Sequence, residues 1–96
     1  MSTFISLINF TEQGIKNVKD SPARAQAFRE MAKKLDVEVK AIYWTVGAYD
    51  IVAITEGSDE AVTSALLAVG SAGNVRTQTL RAFDADGMRK ILKKMP

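Results

Sequence analysis

The strand-forming segments of this chain are apolar on both sides, and that constrains its fold more than any other feature. A strand of an antiparallel sheet with one wet face should alternate apolar and polar residues. In residues 3–10, Phe4, Ile8 and Phe10 point one way while Ile5 and Leu7 point the other. In residues 37–46, simple alternation sets Val37, Val39, Ala41 and Tyr43 against Ile42, Trp44 and Val46, and in residues 49–56 it sets Tyr49, Ile51 and Ala53 against Val52 and Ile54. A sheet built from such strands needs cover on both faces.

Helix signals fall between these strands. Thr11 is placed to N-cap a short helix after the first strand. Ser21-Pro22 opens a longer one, with Phe28, Met31, Ala32 and Leu35 on one face and Arg24, Arg29, Glu30 and Lys33 free to meet water. Gly47-Ala48 joins the second and third strands in a gap short enough for a tight hairpin. Ser58-Asp59-Glu60 starts the next helix, whose buried stripe is Val62, Ala65, Leu66 and Val69, and Gly70-Ser71-Ala72-Gly73 ends it. Residues 74–83 form the last strand, and Met88, Ile91, Leu92 and Met95 mark a C-terminal helix. The order is βαββαβ plus one helix. It predicts a ferredoxin-like α+β fold with a four-stranded antiparallel sheet, in one domain spanning residues 1–96.

Both crossover helices of such a fold lie on the same side of the sheet, so the other side is left bare. The exposed patch exceeds what a soluble single chain tolerates. The simplest closed solution is a two-fold homodimer with sheets face to face, or a higher homo-oligomer. The competing solution folds the C-terminal helix back over the sheet of its own chain. A chain of 96 residues buries only about 60 to 65% of its unfolded surface on its own, which leaves room for a large partner surface.

Composition narrows the chemistry. Thirteen Lys and Arg against eleven Asp and Glu give a net charge of +2, too small for a nucleic-acid footprint, and much of the excess sits in Arg89-Lys90-Ile91-Leu92-Lys93-Lys94, where cations complement a helix C-terminus. With no His and no Cys, catalytic triads, thiol nucleophiles, His-ligated haem and ordinary zinc sites are excluded, and no carboxylate cluster has metal-loop spacing. No metal and no cofactor are expected. No signal-peptide pattern and no apolar run of about 18 residues occurs, so a cytoplasmic, membrane-free location is the default expectation.

Antiparallel order brings the ends of the first two strands and the starts of the last two to one edge. That edge gathers Asn9, Trp44, Tyr49, Asp50, Asn74 and Arg76, the candidate ligand-binding residues, and the first helix opens there. Asp50 has two readings. It is a ligand contact or acid–base group beside Tyr49, or it is a turn residue accepting backbone N–H bonds while Gly47 serves the turn and Tyr49 fills core. Trp44 reads as packing, dimer contact or site lining.

Nearly the whole chain resembles the GYD-domain family. The resemblance is carried by Ile5-Ser6-Leu7-Ile8-Asn9-Phe10-Thr11, by Gly14 through Pro22, by Gly47-Ala48-Tyr49-Asp50, and by Gly70 through Phe83. It implies a dimeric α+β barrel and no particular reaction. Gly47-Ala48-Tyr49-Asp50-Ile51-Val52-Ala53 and Asn74-Val75-Arg76-Thr77-Gln78-Thr79 are also similar to the ligand-binding domain of leucine-responsive-type transcription regulators, which implies sheet-mediated dimers that hold amino acids between subunits. The resulting expectation is a non-catalytic oligomeric module binding a small, anionic metabolite at the sheet edge. The alternatives are a cofactor-free monooxygenase or isomerase using Asp50, and a purely structural assembly unit.

Overall fold

A computed structural model describes all 96 residues. The chain runs β1 (Ser2–Phe10), α1 (Glu12–Lys16), a 3-10 turn (Val18–Asp20), α2 (Ser21–Lys34), β2 (Glu38–Trp44), β3 (Ile51–Gly57), α3 (Asp59–Ser71), β4 (Val75–Ala82) and α4 (Ala85–Lys93). The sheet order is β2-β3-β1-β4 with every neighbouring pair antiparallel, which is the ferredoxin-like α+β arrangement.

Local chemistry explains the helix boundaries. Thr11 Oγ1 accepts from Gly14 N, Ser58 Oγ from Ala61 N and Asp84 Oδ1 from Gly87 N, so α1, α3 and α4 each begin on a side-chain cap. α2 begins differently. The 3-10 turn runs straight into it, Asp20 occupies the cap position without a side-chain bond, and Ser21 is already helical and buried. The Ser21 hydroxyl is thereby free to accept from Trp44 Nε1 at 3.1 Å, tying α2 to the end of β2. α2 ends with Asp36 in the left-handed region (φ 59°), where Val37 N bonds Ala32 O and Asp36 N bonds Lys33 O, a Schellman closure.

The helices α2 and α3 lie on one face of the sheet. Ala32, Val37 and Val62 form the tightest cluster, with Phe4, Val39, Ala61 and Leu66 packed against it. Ser6, Ile51, Ala53 and Thr55 are buried on this face, and the Ser6 hydroxyl pairs with that of Thr79 across β1 and β4. The pairing of β2 with β3 slips at Lys40, between Val39 and Ala41. This bulge corrects the simple alternation: Val37 and Val39 join Ile42 and Trp44 on the helix face, and Ala41 and Tyr43 turn to the other side. The Arg81 guanidinium lies over the rings of Phe83 (4.3 Å) and Phe4 (5.5 Å).

The second face has no cover. Ile5, Leu7, Ala41, Tyr43, Val52, Ile54 and Leu80 alternate onto it. Tyr43 is 61% exposed and Leu80 46%. Helix α4 does not fold back over this face; it makes no extensive contact with the sheet or with the other helices. Its stripe of Met88, Ile91 and Leu92, continued by Met95, is exposed. The resulting shape is thin and long, 50 × 31 × 18 Å. No helix is long and apolar enough to cross a membrane.

Candidate functional site at the sheet edge

The six residues singled out in sequence do lie at one end of the sheet, but they divide among three environments. Asn9 and Arg76 are directly opposite on β1 and β4, on the uncovered face. Tyr49 reaches the same face, with its hydroxyl 3.5 Å from Gln78 Oε1 at the outer limit of a hydrogen bond. Gln78 was not anticipated; its only sequence signal is its spacing two residues after Arg76, which puts it on the same face of β4. No carboxylate lies within ion-pair distance of Arg76.

Trp44 and Asn74 belong to the helix side. Trp44 is 45% exposed with its indole N–H committed to Ser21. Asn74 holds α1 in place: its carbonyl accepts from Thr11 N at 3.0 Å, and its side-chain oxygen accepts from Gln13 Nε2 at 2.9 Å.

Asp50 sits between the two sides as a brace. Its Oδ2 accepts from Phe10 N at 2.9 Å, its own N–H donates to Ile8 O at 2.9 Å, and its carbonyl accepts from Thr45 N at 2.8 Å. One residue thus ties together β1, the end of β2 and the start of β3. The connection it closes is longer than a tight hairpin: residues 45–50 form a loop, with Thr45 Oγ1 bonded to Tyr49 O, Gly47 at φ 140° and Val46 fully exposed at the tip. The carboxylate does what a turn aspartate does. Asp50→Ala is expected to cost about 2 kcal/mol of stability, the range for a hydrogen bond to a charged group, and Asp50→Asn to recover part of it. Urea unfolding of the two variants checks this; equal stability of all three proteins would remove the brace.

On the helix side of this edge, α2 and α3 stand off the sheet around a cavity of about 400 Å³ whose wall is mostly hydrophobic. No group of three or more His, Cys, Asp or Glu residues is placed to hold a metal ion.

An antiparallel four-stranded sheet with both crossover helices on one face, and a polar edge beside an open apolar face, defines a small ferredoxin-like α+β protein. The GYD domain family model matches residues 4–92, and the chain belongs to that family. A protein from Thermus thermophilus described as "Glutamine synthetase and cystathionine beta-lyase binding protein" is 37% identical over 95 residues, covering 97% of this chain and 100% of the relative. No solved structure matches the chain at a significant level.

Proposed function

We propose that this chain is a homo-oligomeric protein-binding module of the cytoplasm, without catalytic activity, whose partners are metabolic enzymes of the kind named for the Thermus relative: glutamine synthetase and cystathionine beta-lyase. The end-to-end similarity to that relative carries the reading. The structure supports it physically. The open face and the α4 stripe are two apolar surfaces with little cover inside the chain, and association with another chain would remove such surface from water. Asp50, the one acid–base candidate, is engaged in bracing three strands.

Calorimetric titration with purified glutamine synthetase and cystathionine beta-lyase of the same organism is expected to give saturable binding to at least one of them at micromolar Kd or tighter. A correctly folded chain that binds neither would end this proposal.

A second reading is favoured by one observation, the uncompensated Arg76 facing Asn9, Gln78 and Tyr49. In this reading a small anionic metabolite binds beside Arg76 on the open face, while Trp44, Asp50 and Asn74 keep their structural bonds. In a thermal-shift series with amino acids and dicarboxylates, a ligand-induced rise in Tm that Arg76→Gln removes supports this reading, and no rise with any of them excludes it.

A further inference from the structure

We propose that the open face of the sheet recognises a second copy of this chain by charge: Arg76 at one corner pairs with the Glu38 and Glu56 corner of the other copy, and the contact is made twice. The inference deepens the homo-oligomeric reading above and rests on it. It gives Arg76 a carboxylate in place of a small anion.

The open face is apolar only across its middle, where Ile5, Leu7, Val52, Ile54, Tyr43 and Leu80 alternate onto it. Its two ends carry opposite charge. At one end Glu38, the first residue of β2, lies opposite Glu56 of β3, which lies opposite Thr3 of β1. Like charges directly opposite on neighbouring strands repel. Lys40, at the bulge, relieves this pair, with Nζ 3.5 Å from Glu38 Oε1 and 4.0 Å from Glu56 Oε1. Two carboxylates against one ammonium leave the corner with a net charge of −1. At the other end Arg76 of β4 lies opposite Asn9, exposed and with no carboxylate within ion-pair distance.

β2 and β4 are the two edge strands, so the opposite charges stand at diagonal corners of the face. Thr3 and Asn9 mark their levels on β1, about 20 Å apart along the strand. The charges cannot meet within one chain. A second copy satisfies both at once. A two-fold axis between the layers, perpendicular to that diagonal, sets each Arg76 over the acidic corner of the other chain, and the strands of the two layers then cross steeply. An axis parallel to the strands would stack like charge on like charge. The apolar middle does not suffice alone: two rows across four strands span about 19 by 13 Å. That is well short of the area of about 800 Å² that each partner contributes to a standard interface. The footprint of a stable pair therefore takes in the corners, where charge decides how the copies are turned relative to each other.

The test reverses one corner at a time in the full chain, Arg76→Glu in one protein and Glu38→Lys in another, and follows self-association by sedimentation equilibrium. Both positions are exposed, and circular dichroism checks that each variant folds. Glu38→Lys takes its corner from −1 to +1, and Arg76→Glu makes the opposite change. Each variant alone is expected to associate at least about a hundredfold more weakly than the parent, because like corners then meet twice. An equimolar mixture is expected to associate as the parent does, because every contact between the two variants joins opposite charges. A parent that assembles beside variants that assemble equally well, a loss confined to Arg76→Glu, or a mixture no tighter than its components would overturn the corner pairing and leave the homo-oligomeric reading standing. A parent that stays a single chain of 10.5 kDa would end both. Should a variant fail to fold, the salt dependence of the parent decides: its Kd is expected to rise at least about tenfold between about 50 and about 500 mM NaCl, and Arg76→Gln to remove most of that rise. A Kd indifferent to salt would equally overturn the pairing.

Discussion

On the proposed face-to-face assembly, replacing Ile54 by aspartate is expected to leave single, folded chains where the parent associates. Ile54 lies on β3, opposite Ile5 of β1 and Ala41 of β2, at the centre of the face that α2 and α3 leave open. In an isolated chain the new carboxylate meets water there at little cost, because the position is only half-buried. In a face-to-face pair it would be trapped without a partner charge, at a cost of about 3 to 5 kcal/mol. That weakens association by roughly a thousandfold. Sedimentation velocity reads the change as a fall in mass to the 10.5 kDa of one chain. Val46→Asp, at the exposed tip of the 45–50 loop, is the matched control and should leave the mass unaltered. An Ile54→Asp protein that still sediments with the parent mass would mean that this face is not the interface.

Gly14→Ala is expected to be the most damaging of the single-methyl changes to the fold. Gly14 is buried in α1, and a Cβ on it would overlap the carbonyl oxygen of Asn74 and sit 2.8 Å from the carbonyl carbon. Backbone cannot yield as a flexible side chain does. The helix would have to lift from the turn that precedes β4, stretching the bonds from Thr11 N to Asn74 O and from Gln13 Nε2 to Asn74 Oδ1. Overpacking with the loss of one such bond comes to about 3 kcal/mol, or roughly 10 to 20 °C in Tm for a domain of this size. Circular dichroism melting measures it; a Tm within about 2 °C of the parent would show that α1 does not seat there as described.

Much of the fold was legible because it rests on local chemistry. Thr11 announces its helix and makes the expected cap bond, and Ser58-Asp59-Glu60 marks the start of the next, where Ser58 also caps. The spacing of Val62 and Ala65 predicts burial, and both are almost wholly buried. What escaped the sequence depends on contacts between distant segments. The bulge at Lys40 interrupts an unbroken run of alternating apolar residues, so nothing in Val37–Tyr43 signals that Val39 and Ala41 face opposite ways. Ser21-Pro22 looks like a cap with its first helical residue, yet the preceding 3-10 turn moves the helix start by one position and frees Ser21 for Trp44.

The candidate site was legible as a place and not as an arrangement. Strand order alone brings Asn9, Tyr49, Asp50 and Arg76 to one end. Which face each side chain takes is set by register, and that separates Trp44 and Asn74 from Asn9 and Arg76. The cavity left no trace in the sequence, because the gap between two layers is fixed by how far the helices stand off the sheet. The same holds for α4. Its stripe of Met88, Ile91 and Leu92 is readable in the sequence, but whether it would cover its own sheet was not, and in the structure it does not.

Isotope-filtered NMR on a mixture of labelled and unlabelled chains tests most directly whether one copy covers the exposed β-layer of another. Contacts between chains at the methyl groups of Ile5, Leu7, Val52 and Ile54 are the predicted result. A sample in which those methyls see only their own chain, while the labelled and unlabelled copies are shown to mix, would contradict it.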